Sequence, residues 1–472
     1  MTEKIEAKEF VFGREQLDAL ENIKKLNSGK TLLAHTVVYG CQQNEADMER
    51  IKGMLGAAGY GFTDDPGEAE VIVVNTCAVR EGAEMRVLGN VGAFKKLKEK
   101  KPDLVICICG CMMQQPHVVE KIKKSFHFVD IVFGTHNIHN FPLLLLKKLR
   151  GQKRVFEVFE GSEIICEGMP VERDKTHSAR VTIMYGCNNF CSYCIVPYTR
   201  GRERSRDINA VLEEIRGLAK SGCREIMLLG QNVNSYRGDN GDKNSFANLL
   251  RAIDKIDGIE RVRFMSSHPK DFSEETISAI AECKSVCKHI HLALQSGSSE
   301  ILRKMNRKYT KEGFISLIEK IRAKIPDVAL TTDIIVGFPG ETDGDFEETL
   351  DVLRKVRFDG IFSFIFSPRK GTPAAEMEDP FTHEEKQAHF EKLLEVQNEI
   401  TAEKTAACIG KVFPVLVEGK SKENENLLTG HTDTFKLVHF EGEEGLIGKI
   451  VNVKIMSAKT WYMVGEISEQ GN

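Results

Sequence analysis

Three cysteines, Cys187, Cys191 and Cys194, lie close together with the spacing C-x3-C-x2-C. Three thiolates on one loop can bind three irons of a cubane iron–sulfur cluster and leave the fourth iron without a protein ligand. An open iron is a place where a small molecule can bind and be reduced, so the loop indicates redox catalysis more than electron storage. Zinc sites usually show a second cysteine pair or histidines downstream, and no such partner follows this loop. The alternative is a set of three buried or zinc-bound cysteines.

A second set of cysteines, Cys41, Cys77 and Cys111, is spread along the chain at the ends of three apolar segments that we predict to be strands. In an open parallel sheet the loops converge at the carboxyl ends of the strands, and ligands gather there. Three cysteines on three such loops can meet and hold a second cubane cluster, again with an open iron. The alternative for each is a small buried hydrophobe. That is the role we expect for the remaining cysteines, Cys107, Cys109, Cys166, Cys223, Cys283, Cys287 and Cys408.

The elements that position the second set follow from hydrophobic patterning. Apolar segments that predict strands lie at residues 31–39, 71–76, 104–109 and 129–134. Strands that are apolar throughout and separated by helices are typical of a parallel sheet covered on both faces. We therefore predict a doubly wound α/β domain over residues 31–150, preceded by a polar N-terminal arm at 1–30.

The first cysteine set belongs to a longer α/β region. After a linker at 151–178, residues 179–403 alternate strand and helix patterns, which favours a full or partial (β/α) barrel. The segments that predict its strands are 225–229, 261–265, 289–294, 330–336 and 360–366. From residue 404 to 469 the pattern changes to short β segments with Gly-rich turns, which predicts a small antiparallel barrel of OB-like proportions.

Length and composition agree with this organisation. A chain of 472 residues is expected to form two or three domains. Its apolar stretches are too short to span a bilayer and its N-terminus lacks the apolar core of a secretory signal, so we expect a cytoplasmic protein with no membrane association. Thiols stay reduced there, which makes metal binding a better account of the 13 cysteines than disulfides. With a net charge of −4, a nucleic-acid partner would have to meet a local basic patch.

The cysteine loop resembles the signature of radical S-adenosylmethionine (SAM) enzymes, and the surrounding sequence resembles the methylthiotransferases among them. The similar motifs are Gly40-Cys41-Gln42, Asn75-Thr76-Cys77-Ala78-Val79-Arg80, Cys109-Gly110-Cys111-Met112, Pro197-Tyr198-Thr199-Arg200-Gly201, Gly230-Gln231-Asn232-Val233-Asn234, Gln295-Ser296-Gly297-Ser298 and Gly337-Phe338-Pro339-Gly340-Glu341-Thr342. The resemblance covers nearly the whole chain except the predicted arm. Gln43 stands where methionine is more usual, but it is not a predicted ligand.

Two further segments, Gln231-Asn232-Val233-Asn234-Ser235-Tyr236 and Ser266-Ser267-His268-Pro269, most resemble the branch of the family that acts on prenylated tRNA. The resemblance implies transfer of a methylthio group to C2 of N6-dimethylallyladenosine at tRNA position 37, next to the anticodon. It also implies two 4Fe-4S clusters. One would bind SAM at Cys187, Cys191 and Cys194 and cleave it reductively to a radical. The auxiliary cluster, at Cys41, Cys77 and Cys111, would carry the sulfur that becomes methylated.

This chemistry is consistent with the residues present. The hydrogen on C2 of adenine is not acidic, so a radical can remove it where a carboxylate or histidine base could not. We therefore assign no catalytic acid or base, and the protein's task is to position the groups and exclude water. The resemblance also implies an electron donor such as flavodoxin or ferredoxin and a protein that donates sulfur or a cluster.

Candidates for SAM binding lie beside the cluster loop and at the carboxyl ends of the predicted barrel strands, where barrel enzymes place their sites. Polar turns, a serine helix cap and a tight glycine turn are the alternatives. The candidates are Tyr193, Gln231, Asn232, Gln295, Ser296, Asp333 and Gly337.

Candidates for RNA binding come from two places. Arg200, Arg202 and Arg204 follow the cluster loop and suit phosphate contacts, with a solvated charged loop as the alternative. The C-terminal region resembles the TRAM domain, an RNA-binding module, and an anticodon loop offers the unpaired bases that such modules read. Its candidates are three lysines and two aromatic residues that could stack on a base, Lys411, Lys454, Lys459, Phe435 and Trp461.

Three other functions compete with this one. Two are sibling activities, methylthiolation of N6-threonylcarbamoyladenosine at tRNA position 37 and of an aspartate in a ribosomal protein. The segments at Gln231 and Ser266 favour the prenylated tRNA over both. The third is a non-catalytic protein, either an iron–sulfur electron carrier or an RNA-binding protein. An electron carrier would have no use for open irons, a SAM pocket or a terminal barrel.

Overall fold

The structure is a computed structural model that describes residues 8–78, 81–159, 161 and 164–468. It divides into two compact units. The first comprises Met1–Asp174, Met184–Phe190 and Cys194–Arg206. The second comprises Lys175–Ile183, Cys191–Tyr193 and Asp207–Asn472. Within the described residues, no helix is both long and apolar enough to cross a bilayer.

The helices and strands alternate along most of the chain. Those up to residue 167 are β1 (Lys8–Val11), α1 (Arg14–Leu26), β2 (Leu32–Val38), α2 (Gln42–Ala57), β3 (Tyr60–Phe62), β4 (Val71–Thr76), α3 (Glu81–Lys100), β5 (Val105–Gly110), α4 (Pro116–Ser125), β6 (Ile131–Phe133), α5 (Phe141–Leu149), β7 (Val155–Glu157) and β8 (Ile164–Glu167). Those up to residue 365 are β9 (Ser178–Thr182), β10 (Met184–Tyr185), α6 (Val196–Arg200), β11 (Arg204–Ser205), α7 (Ile208–Lys220), β12 (Glu225–Leu229), α8 (Ser245–Ile253), β13 (Arg261–Phe264), α9 (Glu274–Glu282), β14 (His289–His291), α10 (Ser299–Lys304), α11 (Lys311–Lys324), β15 (Ala329–Val336), α12 (Asp343–Val356) and β16 (Gly360–Ile365). The last are α13 (His383–Ala406), β17 (Val412–Lys420), β18 (Leu427–Thr432), β19 (Leu437–Glu441), β20 (Ile450–Ala458) and β21 (Met463–Ile467).

The first unit is built on a parallel sheet with the strand order β3-β2-β4-β5-β6-β7. Every residue of β4 is buried, because alternate side chains enter two different cores. Val71 and Val73 pack in one core, and Ile72 and Val74 in the other. Each such fully buried side chain contributes about 1.5–3 kcal/mol to the hydrophobic stabilisation of the sheet. The predicted doubly wound domain is confirmed.

Two segments of the first unit are more regular than their sequence patterns indicated. The predicted polar arm contains β1 and α1, and α1 buries Ala19, Leu20 and Ile23 in the same core as Val71. The predicted linker contains β7, the last strand of the sheet, and β8, which pairs in parallel with β1. The sequences of these short strands show no clear hydrophobic period, and pairing with other strands stabilises them. Residues 1–7 of the arm and residues 160, 162 and 163 of the linker lie outside the described residues.

The second unit begins with an open barrel of parallel strands. Its strands form the sheets β9-β12-β13 and β14-β15-β16, and helices α7 to α12 lie between them in sequence. Parallel bridges at Val262–Val286 and Ser267–Leu292 join the β13 region to the β14 region. Of the two predicted forms, the partial (β/α) barrel is therefore the one observed.

The second unit ends in a closed five-stranded barrel with the order β17-β18-β19-β21-β20. Four strand pairs are antiparallel, and the pair β19–β21 that completes the closure is parallel. Its interior is filled by buried hydrophobic side chains, including Val415, Phe440, Val453 and Ile455. The predicted small β-barrel is confirmed, with one parallel pair that the sequence pattern did not reveal.

Candidate iron–sulfur sites

The second cysteine set lies where three neighbouring strands of the first unit end. Cys41 follows β2 and precedes α2, Cys77 follows β4, and Cys111 follows β5 directly. These strands are adjacent in the order β2-β4-β5. The strand order reverses beside β2, since the chain runs from β2 outward to β3 and then back to β4, and such a switch point is where open α/β sheets bind ligands.

Asn44 holds the loops of this second set together. Its Nδ2 donates hydrogen bonds to the backbone oxygens of Tyr39, at 2.8 Å, and Thr76, at 2.9 Å. Its Oδ1 lies 3.9 Å from the Sγ of Cys41 and 3.8 Å from the Sγ of Cys111. One buried amide therefore fixes the ends of β2 and β4 and contacts two of the three thiols.

Gly40 brings the third thiol close to the loop that carries Cys41. Its φ is +123°, and a Cβ added there would lie 2.6 Å from the Cβ and 2.9 Å from the Sγ of Cys77. Only glycine allows this approach. The structure therefore brings Cys41, Cys77 and Cys111 together, as their strand ends predicted. Val79 and Arg80, which end the Cys77 motif, lie outside the described residues.

Arg200 is a cation buried at this site. Its Nε donates to the Sγ of Cys111 at 3.2 Å, and its Nη2 lies 2.8 Å from Asn44 Oδ1 and 2.9 Å from Asp47 Oδ2. Burial by itself would lower the pKa of Arg200, but negative charge on Cys111 and Asp47 raises it above its ordinary value. This corrects the prediction that Arg200 contacts RNA phosphate, because the residue is only 5% exposed and its guanidinium is bound to Cys111, Asn44 and Asp47.

The donor set fits a cubane cluster. Burial raises the pKa of the Cys111 thiol to about 12, and Arg200 only partly opposes this, so a bound cation is needed to hold the thiolate. Among the described residues, no three His, Cys, Asp or Glu side chains surround a point as they would around one metal ion. A cubane does not require that arrangement, because each thiolate binds a different iron.

The first cysteine set lies on the chain between β10 and β11, two strands of the first unit that pair with each other. The backbone N–H of Cys187 donates to Gly201 O at 3.1 Å. Gly186, just before it, has φ +76°, and a Cβ there would collide with the backbone oxygen of Arg202. The glycine thus allows the stretch around Cys187 and the stretch after Cys194 to lie against each other.

Cys191, Ser192 and Tyr193 belong to the second unit. The Sγ of Cys191 lies 3.3 Å from Nη1 of Arg307, a buried side chain that also donates to Ala293 O at 2.6 Å. Ser192 donates from its N–H to Met305 O at 3.0 Å, which fixes the loop at the end of α10. Tyr193, a predicted SAM residue, packs against the apolar cluster that contains Met305. The sequence interpretation did not identify Arg307 as a cluster neighbour.

The other SAM candidates of the second unit lie at or near the carboxyl ends of the barrel strands. Gln231 and Asn232 follow β12, and Asn232 Nδ2 donates to Asp271 at 2.8 Å. Gln295 has φ +78° and pairs with the β15 backbone through Asp333 O and Ile335 N.

Two of these candidates have structural partners of their own. Asp333 Oδ2 lies 3.2 Å from His291 Nε2. Ser296 is fully buried and lies 3.5 Å from the hydroxyl of Thr349, while Ser298 is the residue that caps α10. This corrects the expectation for Ser296, since its side chain supports the turn and has no exposed surface.

Gly337 has φ +68° and donates its N–H to the Glu341 carboxylate at 2.6 Å. Glu341 is 2% exposed, and burial raises its pKa to about 7. The motif that contains both residues was noted in the sequence, but the role of Glu341 in fixing the turn was not. The sequence feature that could have indicated this role is an acidic residue in an otherwise apolar, Gly-rich segment.

The remaining RNA candidates differ in accessibility. Arg202 is exposed, and its guanidinium lies 4.3 Å from the ring centroid of Phe190. Arg204 is buried, and its guanidinium lies 6.0 Å from the ring centroid of Tyr185, which corrects the expectation that it contacts phosphate. The exposed candidates on the C-terminal barrel are Lys411, Lys454, Lys459 and Trp461.

Phe435 is not available to stack on a base. Its ring is stacked with those of His289, at a centroid distance of 5.3 Å, and His431, at 4.6 Å. The guanidinium of Arg263 lies 5.0 Å from the same ring, and Arg263 Nη1 donates to Asp433 O at 2.9 Å. The prediction for Phe435 is therefore wrong: the ring packs the terminal barrel against the partial barrel within the second unit.

Comparison with protein-family models gives three matches. Residues 181–353 match the radical SAM superfamily, residues 34–134 match the uncharacterized protein family UPF0004, and residues 406–467 match the TRAM domain.

Curated relatives match over nearly the full chain. The tRNA-2-methylthio-N(6)-dimethylallyladenosine synthase of Acetivibrio thermocellus is 53% identical, with 96% of this chain and 94% of the relative covered. The enzyme of the same name from Alkaliphilus oremlandii is 51% identical, with 97% of each chain covered. That of Thermoanaerobacter pseudethanolicus is 52% identical, again with 97% of each chain covered.

Solved structures show a related fold. The radical S-adenosylmethionine methyltransferase TsrM of Kitasatospora setae, with cobalamin and a [4Fe-4S] cluster bound, aligns with a TM-score of 0.54 at 16% identity. The alignment covers 73% of this chain and 77% of TsrM. At this identity the likeness concerns the fold alone.

Proposed function

Since the chain belongs to the family of tRNA-2-methylthio-N6-dimethylallyladenosine synthases, which are radical SAM methylthiotransferases, we propose that it attaches a methylthio group to C2 of N6-dimethylallyladenosine at tRNA position 37. The observation that carries the proposal is the convergence of one cysteine set, with Cys41 and Cys111 at Asn44 and Cys77 against Gly40, in a chain whose other set has the C-x3-C-x2-C spacing. A two-cluster methylthiotransferase needs both.

We assign one 4Fe-4S cluster to each set. The SAM-binding cluster would be held by Cys187, Cys191 and Cys194, and the auxiliary cluster by Cys41, Cys77 and Cys111. When bound, the clusters and SAM supply the radical and the methylated sulfur. The chain's own residues hold the thiolates in place. Arg307 donates to the sulfur of Cys191 and Arg200 to that of Cys111, so each set has a buried cation that offsets thiolate charge.

SAM is proposed to bind at the carboxyl ends of the partial barrel. Gln231, Asn232, Gln295 and Asp333 lie at or near those ends. The turn that starts at Gly337 is fixed by Glu341, but Gly337 is buried and a Cβ there would lie 2.5 Å from the Lys386 side chain, so we propose no adenine contact at this glycine. No acid–base pair is required, because the hydrogen to be removed is not acidic.

The tRNA is proposed to contact the exposed residues Arg202, Lys411, Lys454, Lys459 and Trp461. Lys411 lies just before β17 and accepts a hydrogen bond at its backbone oxygen from Ile455 N at 2.9 Å, and Lys454 of β20 is opposite Val412 of β17. Trp461 is 57% exposed beside Lys459, in the turn before β21. Exposed lysines beside an exposed indole suit a backbone contact combined with base stacking. A flavodoxin or ferredoxin as electron donor, a sulfur or cluster donor protein and a cytoplasmic location complete the proposal.

The first test measures iron after anaerobic reconstitution. The unchanged chain should hold about eight irons, and replacement of either cysteine set by alanine should leave about four. Cys109→Ala is the matched control, because Cys109 is fully buried in β5 next to the site and is assigned a packing role only. Iron that stays at the parent level after either triple replacement would contradict the ligand assignment.

The second test measures the product. The reconstituted chain is incubated anaerobically with SAM, a reductant and prenylated tRNA, and the nucleosides are analysed by mass spectrometry. We expect 2-methylthio-N6-dimethylallyladenosine, and neither triple replacement should form it. Product found only on tRNA that carries N6-threonylcarbamoyladenosine would instead assign the chain to the sibling activity.

A further inference from the structure

Among the described residues, Arg200 is a buried cation in hydrogen-bond contact with a sulfur of the auxiliary cysteine set. Arg200 lies on α6, shortly after the last cysteine of the other set, yet its Nε donates to the Sγ of Cys111 at 3.2 Å. The segment between them is packed on the same site, because Ile195 contacts Cys111 and Ala78 in one small buried cluster. The position of the guanidinium is therefore part of the fold of the first unit.

The guanidinium is fixed by partners that are themselves fixed. Asp47 Oδ2 accepts from Arg200 at 2.9 Å, and the other carboxylate oxygen accepts from Gln43 at 3.1 Å and Arg50 at 3.3 Å. Asn44 Oδ1 accepts a second bond from Arg200 at 2.8 Å. If Arg200 turned away, it would leave the Asp47 carboxylate, which is 1% exposed, with less compensation.

A fixed positive charge beside a cluster sulfur has a defined electronic effect. Reduction adds a negative charge to the cluster, and a neighbouring cation that donates a hydrogen bond to sulfur stabilises the more negative state. Burial strengthens the effect, since little water screens the charge. The same field favours a sulfide or other anionic sulfur on the open iron.

We propose that Arg200 is a positioning residue that raises the reduction potential of the auxiliary cluster and favours the binding of anionic sulfur to it. The inference rests on the proposed function, because it requires a cluster at Cys41, Cys77 and Cys111. It assigns Arg200 to the auxiliary cluster, although its neighbours in sequence belong to the SAM-cluster loop.

The test uses the chain with Cys187, Cys191 and Cys194 replaced by alanine, which keeps the auxiliary cluster alone. In this background the reduction potential is measured by titration followed by electron paramagnetic resonance for Arg200→Gln and Arg200→Lys. Arg206→Gln is the matched control, because Arg206 is also a buried arginine of this segment but pairs with Glu167 at 2.6 and 2.7 Å. A second readout is the resonance Raman band of the iron–thiolate stretch.

Arg200→Gln is expected to lower the potential and to shift the iron–thiolate band upward, because the hydrogen bond to sulfur is lost. The reduction potential and Raman band of Arg200→Lys should lie between those of Arg200→Gln and the parent. Those of Arg206→Gln should match the parent. Added sulfide should bind more weakly, by at least several-fold, to the Gln variant. Equal potentials and Raman bands in the Gln variant and the Arg206 control would overturn the inference.

Two further outcomes are decided by iron content. If the parent background binds no cluster, the proposed function itself is contradicted, and this failure is distinct from failure of the inference. If both Arg200 variants lose the cluster while Arg206→Gln keeps it, Arg200 serves only to retain the cluster, and the electronic role is overturned. The inference is supported if Arg200→Gln loses the cluster and Arg200→Lys retains it, with a reduction potential in Arg200→Lys below that of the parent.

Discussion

Arg307 Nη1 lies 3.3 Å from the Sγ of Cys191, and both side chains are buried in the second unit. Burial by itself would lower the pKa of Arg307, but Tyr309, Tyr193 and Cys191 raise it well above its ordinary value. The guanidinium is thus a permanent cation beside a predicted cluster ligand. It repeats, at the SAM-binding set, the relationship that Arg200 has with Cys111.

Arg307→Gln should impair SAM cleavage. A hydrogen bond to a charged group contributes about 1.5–3 kcal/mol, which corresponds to a loss of roughly 10- to 150-fold in rate. The measurement is the rate of 5′-deoxyadenosine formation by the reconstituted chain under anaerobic conditions. Arg303→Gln is the control, because the Arg303 side chain is 72% exposed and pairs with the nearby Glu300 on the surface of α10. A rate for Arg307→Gln equal to that of the control would contradict the expectation.

Asn44→Leu should destabilise the first unit and release the auxiliary cluster. The change leaves the backbone oxygens of Tyr39 and Thr76 without their amide donor, at a cost of about 1–3 kcal/mol for each buried group left unpaired. The free energy of unfolding of the cluster-free chain and the iron content after reconstitution measure the two effects. Asn90→Ala is the control. It removes an exposed amide that bonds the Tyr39 hydroxyl and should change neither the free energy of unfolding nor the iron content by much. Full iron in Asn44→Leu would refute its role at the site.

Phe435→Ala and Trp461→Ala should have opposite consequences. Loss of the two ring stacks and the guanidinium contact at Phe435 should lower the unfolding free energy by about 1–3 kcal/mol. Loss of the exposed indole at Trp461 should leave stability unchanged and weaken tRNA binding by roughly 5- to 100-fold, since stacking contributes about 1–3 kcal/mol per base. Thermal unfolding measures the effect on stability, and filter binding measures the effect on tRNA affinity. Unchanged tRNA affinity in Trp461→Ala would exclude this residue from the RNA surface.

Glu341→Gln should stabilise the chain increasingly as pH rises. Burial raises the pKa of Glu341 from 4.5 in the unfolded chain to about 7 in the fold, so between these values the folded state binds the extra proton. Stability therefore falls with rising pH through that window and is level above it, with a total effect on the order of 3 kcal/mol. Glutamine keeps an oxygen that can accept the Gly337 N–H but carries no charge.

The measurement is the difference in unfolding free energy between Glu341→Gln and the parent, determined from pH 4.5 to 8. The difference should grow up to about pH 7 and then become constant. Glu399→Gln, which removes an exposed carboxylate from α13, is the control for the loss of one acidic group. A difference that does not vary with pH would show that the Glu341 carboxyl does not titrate in this window.

Much of the architecture was determined by the sequence alone, because its signals are local. The spacing of Cys187, Cys191 and Cys194 indicates a cluster loop without reference to the fold. The apolar runs of β4 and β5, and the cysteines that follow them, predict the parallel sheet and the edge where Cys77 and Cys111 lie. Side-chain periodicity and topology rules suffice for such inferences.

The tertiary structure alone decided which other side chains serve these sites. Arg200 and Cys111 are 89 residues apart, and Arg307 and Cys191 are 116 apart. An arginine after a cluster loop looks the same in sequence whether it faces solvent or a buried thiol. Phe435 looks the same in sequence whether its ring is free to stack on a base or is stacked with two histidines. Burial and long-range packing distinguish these cases, because they depend on which elements the whole chain brings into contact.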